Sequence, residues 1–155
     1  MKILVDTNVL VRLSQPDHVL HHTARSALKR LQARGDDPCI VPQIIYEYWA
    51  VCTRPIAQNG LAMTVTEAAA EFATIRDLFT LFRDERAILQ AWEGSVVPFD
   101  VKGKTTHDAR LVAAMERHGL SHILTLIPTD FRRFTGITIL TLEDLLDGLA
   151  GAPAS

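Results

Sequence analysis

The sequence predicts an α/β fold: three layers, α/β/α, about a central, mostly parallel sheet of about five strands, in one domain over residues 1–149. Two observations carry this expectation. Apolar runs of strand length alternate with segments of helical periodicity, the pattern of right-handed crossovers and a sheet covered on both faces. The first run, Lys2-Ile3-Leu4-Val5, is unbroken rather than alternating, as a strand buried on both faces requires. At 155 residues the chain can build one domain with a real core, and a hydrophobic share of 48% leaves material for an apolar surface patch, which would suit a homodimer or a protein partner.

The elements follow in order. A strand over 2–5 leads into a short helix over 7–13, a helix over 18–34 and a strand over 39–41. Pro42 opens a helix over 43–53, because proline is tolerated in a first turn. Its apolar face holds Ile44, Ile45, Tyr48, Val51 and Cys52, with Glu47 at the edge and Tyr46 and Trp49 off it. A loop around Asn59-Gly60 precedes a helix over 66–77, a strand over 78–82 and a helix over 85–93. The helix over 106–118 starts near a threonine and ends at Gly119. Leu111, Val112 and Met115 make its stripe, with Arg110, Ala113 and Arg117 turned away. Strands over 122–125 and 137–140 complete the sheet. Thr141 to Asp144 resembles a capping box for a last helix over 142–149, striped by Leu142, Leu145, Leu146 and Leu149. Residues 150–155 read as a disordered tail.

Charge and cysteine content remove several classes of function. The formal net charge of -2 gives no global basic field, so nucleic-acid binding must come from local clusters. The candidates are Lys102 with Lys104, Arg83 with Arg86, Arg110 with Arg117, and Arg132 with Arg133, each of which alone reads first as a solvated face. Cys39 and Cys52 lack a CxxC spacing and companion cysteines, so they read as buried thiols of a reducing compartment. No stretch approaches the ~20 apolar residues of a membrane span, and Asp6 and Arg12 interrupt the first apolar run as no signal peptide would be interrupted. The expected location is the cytoplasm, with no membrane contact.

Three acids are misplaced for ordinary charges. Asp108 falls inside the apolar stripe of its helix, one turn before Leu111, Val112 and Met115. A carboxylate aimed at a core costs several kcal/mol unless a cation meets it, so either an Arg or Lys pairs with it or it binds a metal. Glu47 lies on the edge of a buried face, where pairing with Arg54 is the plain alternative. Asp6 stands at the carboxyl end of a buried strand, where open α/β sheets place ligand sites, though an Asp there also caps a following helix. Together the three point to one anionic pocket. Thr7 and Asn8 could orient Asp6 by hydrogen bonds. His107 could donate to a phosphate or merely occupy a first turn. His18, His21 and His22 read as a solvated helix face.

Asp6-Thr7-Asn8 after an N-terminal strand resembles the opening signature of the PIN domain, a metal-dependent nuclease fold. Tyr46-Glu47-Tyr48-Trp49 with Thr53-Arg54-Pro55, Gly103-Lys104 with His107-Asp108-Ala109-Arg110, and Leu124-Thr125 with Asp130-Phe131 resemble successive blocks of bacterial VapC-type PIN toxins. The likeness runs from Met1 to about Leu142 in the family's order, and four blocks in order are specific where one is not. The resemblance implies a PIN-like fold and an endoribonuclease acting on RNA. It further implies the toxin of a type II toxin–antitoxin pair, blocked by a cognate antitoxin protein. Carboxylate oxygens without soft ligands suit Mg²⁺ or Mn²⁺. Asp6 and Asp108 are then the principal metal ligands, and Glu47 binds through water or positions the attacking water. Asp130 matches another commonly acidic position, with a pocket role and a structural role both open. The sequence departs from the family at Ile127, where Asp or Asn is usual. Rival readings are a housekeeping PIN nuclease of RNA processing, a non-catalytic binding protein, and a receiver-like signalling module. The last expects adjacent acids after the first strand and a lysine after the last, whereas no Lys follows residue 104.

Overall fold

The computed structural model describes residues 1–147, and the expected α/β/α architecture is present. Five parallel strands, β1 (Lys2–Val5), β2 (Asp37–Ile40), β3 (Thr80–Leu81), β4 (His122–Leu124) and β5 (Thr138–Leu140), stand in the order β3-β2-β1-β4-β5. The sheet is therefore wholly parallel among the described residues. The order differs from the 2-1-3-4-5 arrangement of receiver-like sheets, which removes that rival. It also reverses direction at β1, with β2 on one side and β4 on the other. Such a switch point opens a crevice at the carboxyl ends of the two strands.

Seven helices cover the sheet: α1 (Thr7–Leu13), α2 (His21–Ala33), α3 (Pro42–Thr53), α4 (Val65–Leu78), α5 (Arg86–Val96), α6 (Thr105–His118) and α7 (Leu142–Asp147). α1 packs on α2 and α3, α4 on α3, α7 on α2, and α5 on α6. Ile3, Leu4, Ile40, Ile44, Leu111, Met115 and Ile123 lie at the centre of the core, none more than 2% exposed. Gly119 closes α6 in the left-handed region at φ 66°, and Thr141 with Asp144 forms the expected box at the start of α7. The expected extension of that helix to 149, Leu149 and the tail over 150–155 lie outside the described residues.

The differences have local causes. α2 begins at His21 instead of residue 18, because His18 accepts the Leu20 N–H on its ring Nδ1 and holds a turn after Pro16. β2 starts at Asp37, pairing with Lys2, and Val41 becomes the N-cap of α3. Pro38 is accommodated because β3 pairs with β2 only from Cys39 onward, so one side of the strand is free there. Ala113, expected to face away, is buried because α5 packs on that side of α6. Both cysteines are free and buried, and desolvation pushes the Cys39 thiol up to about 12, so it stays protonated and unreactive.

Candidate functional site

Asp6 occupies the switch point. Its N–H donates to the Leu124 carbonyl (2.9 Å), extending the β1–β4 ladder by one residue. Its carboxylate is 8% exposed and collects three donors: the Thr7 N–H at 2.7 Å on Oδ1, and Asn8 Nδ2 at 2.9 Å and Thr125 Oγ1 at 2.7 Å on Oδ2. Capping and pocket roles are thus combined, since Asp6 is also the N-cap of α1. Asn8 is fixed from the other side by the Leu126 N–H on its Oδ1 (3.1 Å), so its amide cannot turn round. Burial nevertheless pushes the Asp6 carboxyl up to about 6. The charges of Glu47 and Asp108 add to the rise, against the lowering effect of the Thr125 and Thr7 hydrogen bonds.

Glu47 is held from two helices. Thr7 Oγ1 donates to Oε2 (2.9 Å), and Gln43 Nε2, one turn earlier on α3, donates to Oε1 (2.8 Å). The alternative pairing with Arg54 is absent; Arg54 donates instead to the Asn59 carbonyl (3.2 Å). Gln43 is buried and joins three elements, donating also to the His107 carbonyl (2.9 Å) and accepting from Arg110 Nη1 (3.1 Å). Sequence reading passed over Gln43, although a polar residue one turn before Glu47 on the same helix face was a usable signal.

Asp108, in the first turn of α6, is half-buried and accepts no hydrogen bond and no ion pair among the described residues. Desolvation is the first cause that pushes its carboxyl up to about 6. Repulsion from Asp130 and then Glu47 follows, partly offset by Lys104 and His107. Asp6, Glu47, Asp108 and Asp130 all line one open cavity of about 630 Å³. Ile127 does not line it; its side chain is 47% exposed, and its N–H donates to Thr125 Oγ1 (3.1 Å). The buried Thr125 supplies the contact to Asp6 from β4, and Asp130 brings the fourth carboxylate.

The donor set fits a hard divalent cation. All four groups are carboxylates, and two of them are pushed up to about 6 by burial first and by repulsion from neighbouring acids second. Among the described residues no three His, Cys, Asp or Glu side chains stand together closely enough to hold one ion. Mg²⁺ keeps several waters and takes one or two protein carboxylates, a number that these acids can supply. Asp6 and Asp108 are the pair whose ionised form burial disfavours most clearly.

The opposite end of the cavity is cationic, and its residues were not singled out from the sequence as a group. Arg12, Gln15 and His18 line it from α1 and the turn that follows, Arg54 from the C-cap of α3 and Asn59 from the loop beyond it. His18 did not fall on a solvated helix face; partial burial and then the Arg12 charge hold its ring below the ordinary histidine range. Half of the cations in the clusters expected from the sequence are paired: Arg83 and Arg117 with Glu85, Lys102 with Asp100 and Arg110 with Asp84, while Lys104, Arg86, Arg132 and Arg133 make no ion pair among the described residues. Tyr46 is exposed as expected, while Trp49 packs partly on the core.

The profile of the PIN domain family matches residues 3–134. No curated protein matches the chain in a comparison of sequences. Among solved structures, VapBC2 from Rickettsia felis bound to a DNA fragment from their promoter is 9% identical, covering 91% of this chain and 98% of that one at a TM-score of 0.67. A toxin–antitoxin complex from Klebsiella pneumoniae is 18% identical over 90% and 97%, at 0.61. VapC20 of Mycobacterium tuberculosis, described as a sarcin–ricin loop cleaving toxin, is 25% identical over 78% and 86%, at 0.55. At 9% and 18% identity the first two likenesses speak to the fold alone.

Proposed function

The chain belongs to the PIN domain family, and on that premise we propose that it is a Mg²⁺- or Mn²⁺-dependent endoribonuclease. We assign it as the toxin of a type II toxin–antitoxin pair acting in the cytoplasm. The observation that carries the reading is the convergence of four carboxylates on one open cavity, two of them raised to about 6 by burial and mutual repulsion. Uncompensated negative charge of this kind is a standing cost that a bound cation removes. It is also a poor place to bring a phosphodiester without one.

Asp6 and Asp108 would hold the ion, which when bound neutralises phosphate charge and makes a water more acidic. Asp6 is suited to a fixed ligand, because three donors immobilise it at the strand end. Asp108 reaches the cavity from α6 with both oxygens free of protein donors. Glu47 is oriented by Thr7 and Gln43, which leaves lone pairs to accept a proton from an attacking water. Asp130 adds charge beside Asp108 and can hold a further water. The toxin assignment and the antitoxin partner draw support from the solved relatives, several of which are toxin–antitoxin complexes. RNA as substrate draws support from VapC20. A homodimer is part of the same proposal.

The test is cleavage of a labelled single-stranded RNA by the purified chain with Mg²⁺, Mn²⁺ or EDTA. Asp6→Asn and Asp108→Asn should abolish metal-dependent cleavage while the protein stays folded. Wild-type rates in both variants, together with indifference to EDTA, would remove the metal-nuclease reading.

A further inference from the structure

The geometry points to a second phosphate subsite in the cavity, formed by Arg12 and Arg54, that takes the backbone phosphate of a nucleotide flanking the bond to be cut. The inference rests on the nuclease reading and adds to it where the rest of the substrate strand lies.

The cavity is bounded by matching faces of two helices. On α1 and just beyond it, Asn8, Val11, Arg12 and Gln15 follow the i, i+3, i+4, i+7 spacing of one face, and all four line the cavity. On α3 and its cap, Glu47, Val51 and Arg54 follow the same spacing and line it from the other side. Each helix therefore offers an acid at one end of the cavity and an arginine at the other. At 1.5 Å per residue the separation is roughly 9 Å from Asp6 to Arg12 and roughly 10 Å from Glu47 to Arg54. The guanidinium groups bond to residues that follow them in the chain, Arg12 Nη1 donating to Gln15 Oε1 (2.5 Å) and Arg54 Nη2 to the Asn59 carbonyl. Hydrogen bonds to a phosphate reach only ~3 Å, so cations so placed serve a different phosphate from the one at the carboxylates.

Placement near helix C-termini would by itself explain two arginines through the helix dipole. Two further observations go beyond that explanation. Arg12 and Arg54 are the arginines that line the cavity, and among the described residues neither makes an ion pair, whereas Arg34, Arg83, Arg110 and Arg117 do. Arg25, Arg86, Arg132 and Arg133 are also without one but lie outside the cavity lining. Arg12 Nε is moreover buried without an acceptor, a donor left waiting in the cavity wall. Arg54 is also held by construction. A Cβ on Gly60 would fall 1.9 Å from the Arg54 carbonyl oxygen and 2.3 Å from Arg54 Cγ, so only glycine lets the 54–63 loop close on the arginine stem. Between the two charged ends the wall is apolar, with Val11, Val51 and Leu61, which suits the sugar and base that join one phosphate to the next.

The experiment is fluorescence anisotropy of the full chain with a labelled single-stranded RNA in EDTA, over a range of KCl concentrations. Arg12→Gln and Arg54→Gln should each weaken binding roughly tenfold and reduce the slope of log K against log salt by about 0.7, the signature of one lost phosphate contact on a single strand. Arg25→Gln, on the exposed side of α2, should change neither. In cleavage assays with metal the two cavity variants should raise KM and leave kcat within about twofold. Because Arg54 is exposed, its variant keeps the test open if Arg12→Gln fails to fold. Wild-type affinity and salt slope in folded Arg54→Gln would overturn the subsite, even if Asp108→Asn is inactive as the parent reading requires. Unchanged RNA binding with loss of binding to an acidic protein partner would overturn it equally. If instead Asp108→Asn cleaves normally, the metal-nuclease reading falls while the binding result still decides the subsite.

Discussion

Replacing Asp6 by asparagine in the metal-free protein should change stability with a sign that depends on pH. A carboxyl whose folded pKa lies above its unfolded value keeps its proton more tightly when folded, so stability is lost as pH rises between the two values. For Asp6 the window runs from 3.8 to about 6. With 1.36 kcal/mol per unit, the ionised group costs about 3 kcal/mol above the window and nothing below it. Asparagine has no such cost, but it fits the site imperfectly. The Thr7 N–H cannot reverse, and Asn8 is locked by the Leu126 N–H. One amide edge of the new side chain must then face a donor, a loss of about 1–3 kcal/mol. At pH 4 the variant should be less stable than wild type by that loss, and at pH 7.5 equal to it or more stable. Urea unfolding in EDTA at intervals from pH 4 to 8 measures the difference directly. Asp6 and Asp108 repel each other, so the observed window belongs to the pair. A difference between variant and wild type that stays flat across this range would refute the argument that Asp6 is a desolvated, uncompensated charge.

Asp108→Asn has no protein hydrogen bonds to lose, so it should raise the thermal midpoint of the metal-free protein at pH 7.5 and leave it unchanged near pH 4; a lower midpoint at pH 7.5 would mean that Asp108 has a cationic partner. Adding Mg²⁺ at about a hundred times its Kd should stabilise wild type by about 2.7 kcal/mol, and this gain should vanish in Asp6→Asn, as read by calorimetric unfolding. Gln43→Leu removes the donor shared by Glu47 and the His107 carbonyl and should cost about 2–3 kcal/mol, with cleavage reduced because Glu47 is no longer oriented; unchanged stability would show that the buried amide is dispensable. Ile127→Asp should leave metal affinity unaltered in titration calorimetry, since the side chain lies outside the cavity, whereas Asp130→Asn should weaken it; the reverse ranking would place residue 127 in the site.

The fold was legible because its signals are local. An unbroken apolar run marks β1, a first-turn proline marks α3, and Gly119 closes α6 where the apolar stripe ends. Where reading along the chain failed, the deciding contact came from elsewhere. Ala113 looked solvent-facing on its own helix, and only the packing of α5 buries it. His18 looked helical until its ring nitrogen took the Leu20 N–H. Periodicity reports which side of one element is apolar, and it says nothing of what a second element does to the other side.

The same distinction separates the two ends of the cavity. An acid in an apolar stripe violates a rule visible within ten residues of sequence, so Asp108 announced itself. An arginine near a helix end violates nothing, because the dipole favours it there, so Arg12 stands out only for interrupting an apolar run, and Arg54 only as an alternative partner of Glu47 and as part of a family block. Their significance lies in the cavity they line and in Arg12 Nε, buried there without an acceptor, and both are properties of the folded surface. Of the clusters that did stand out in the sequence, Arg83, Arg110 and Arg117 are tied to Asp84 and Glu85, which form bridges from the loop before α5, and none of the three is among the arginines that line the cavity. A count of basic residues along this chain therefore points away from the cavity, and only the three-dimensional lining shows which unpaired cations share it with the acids.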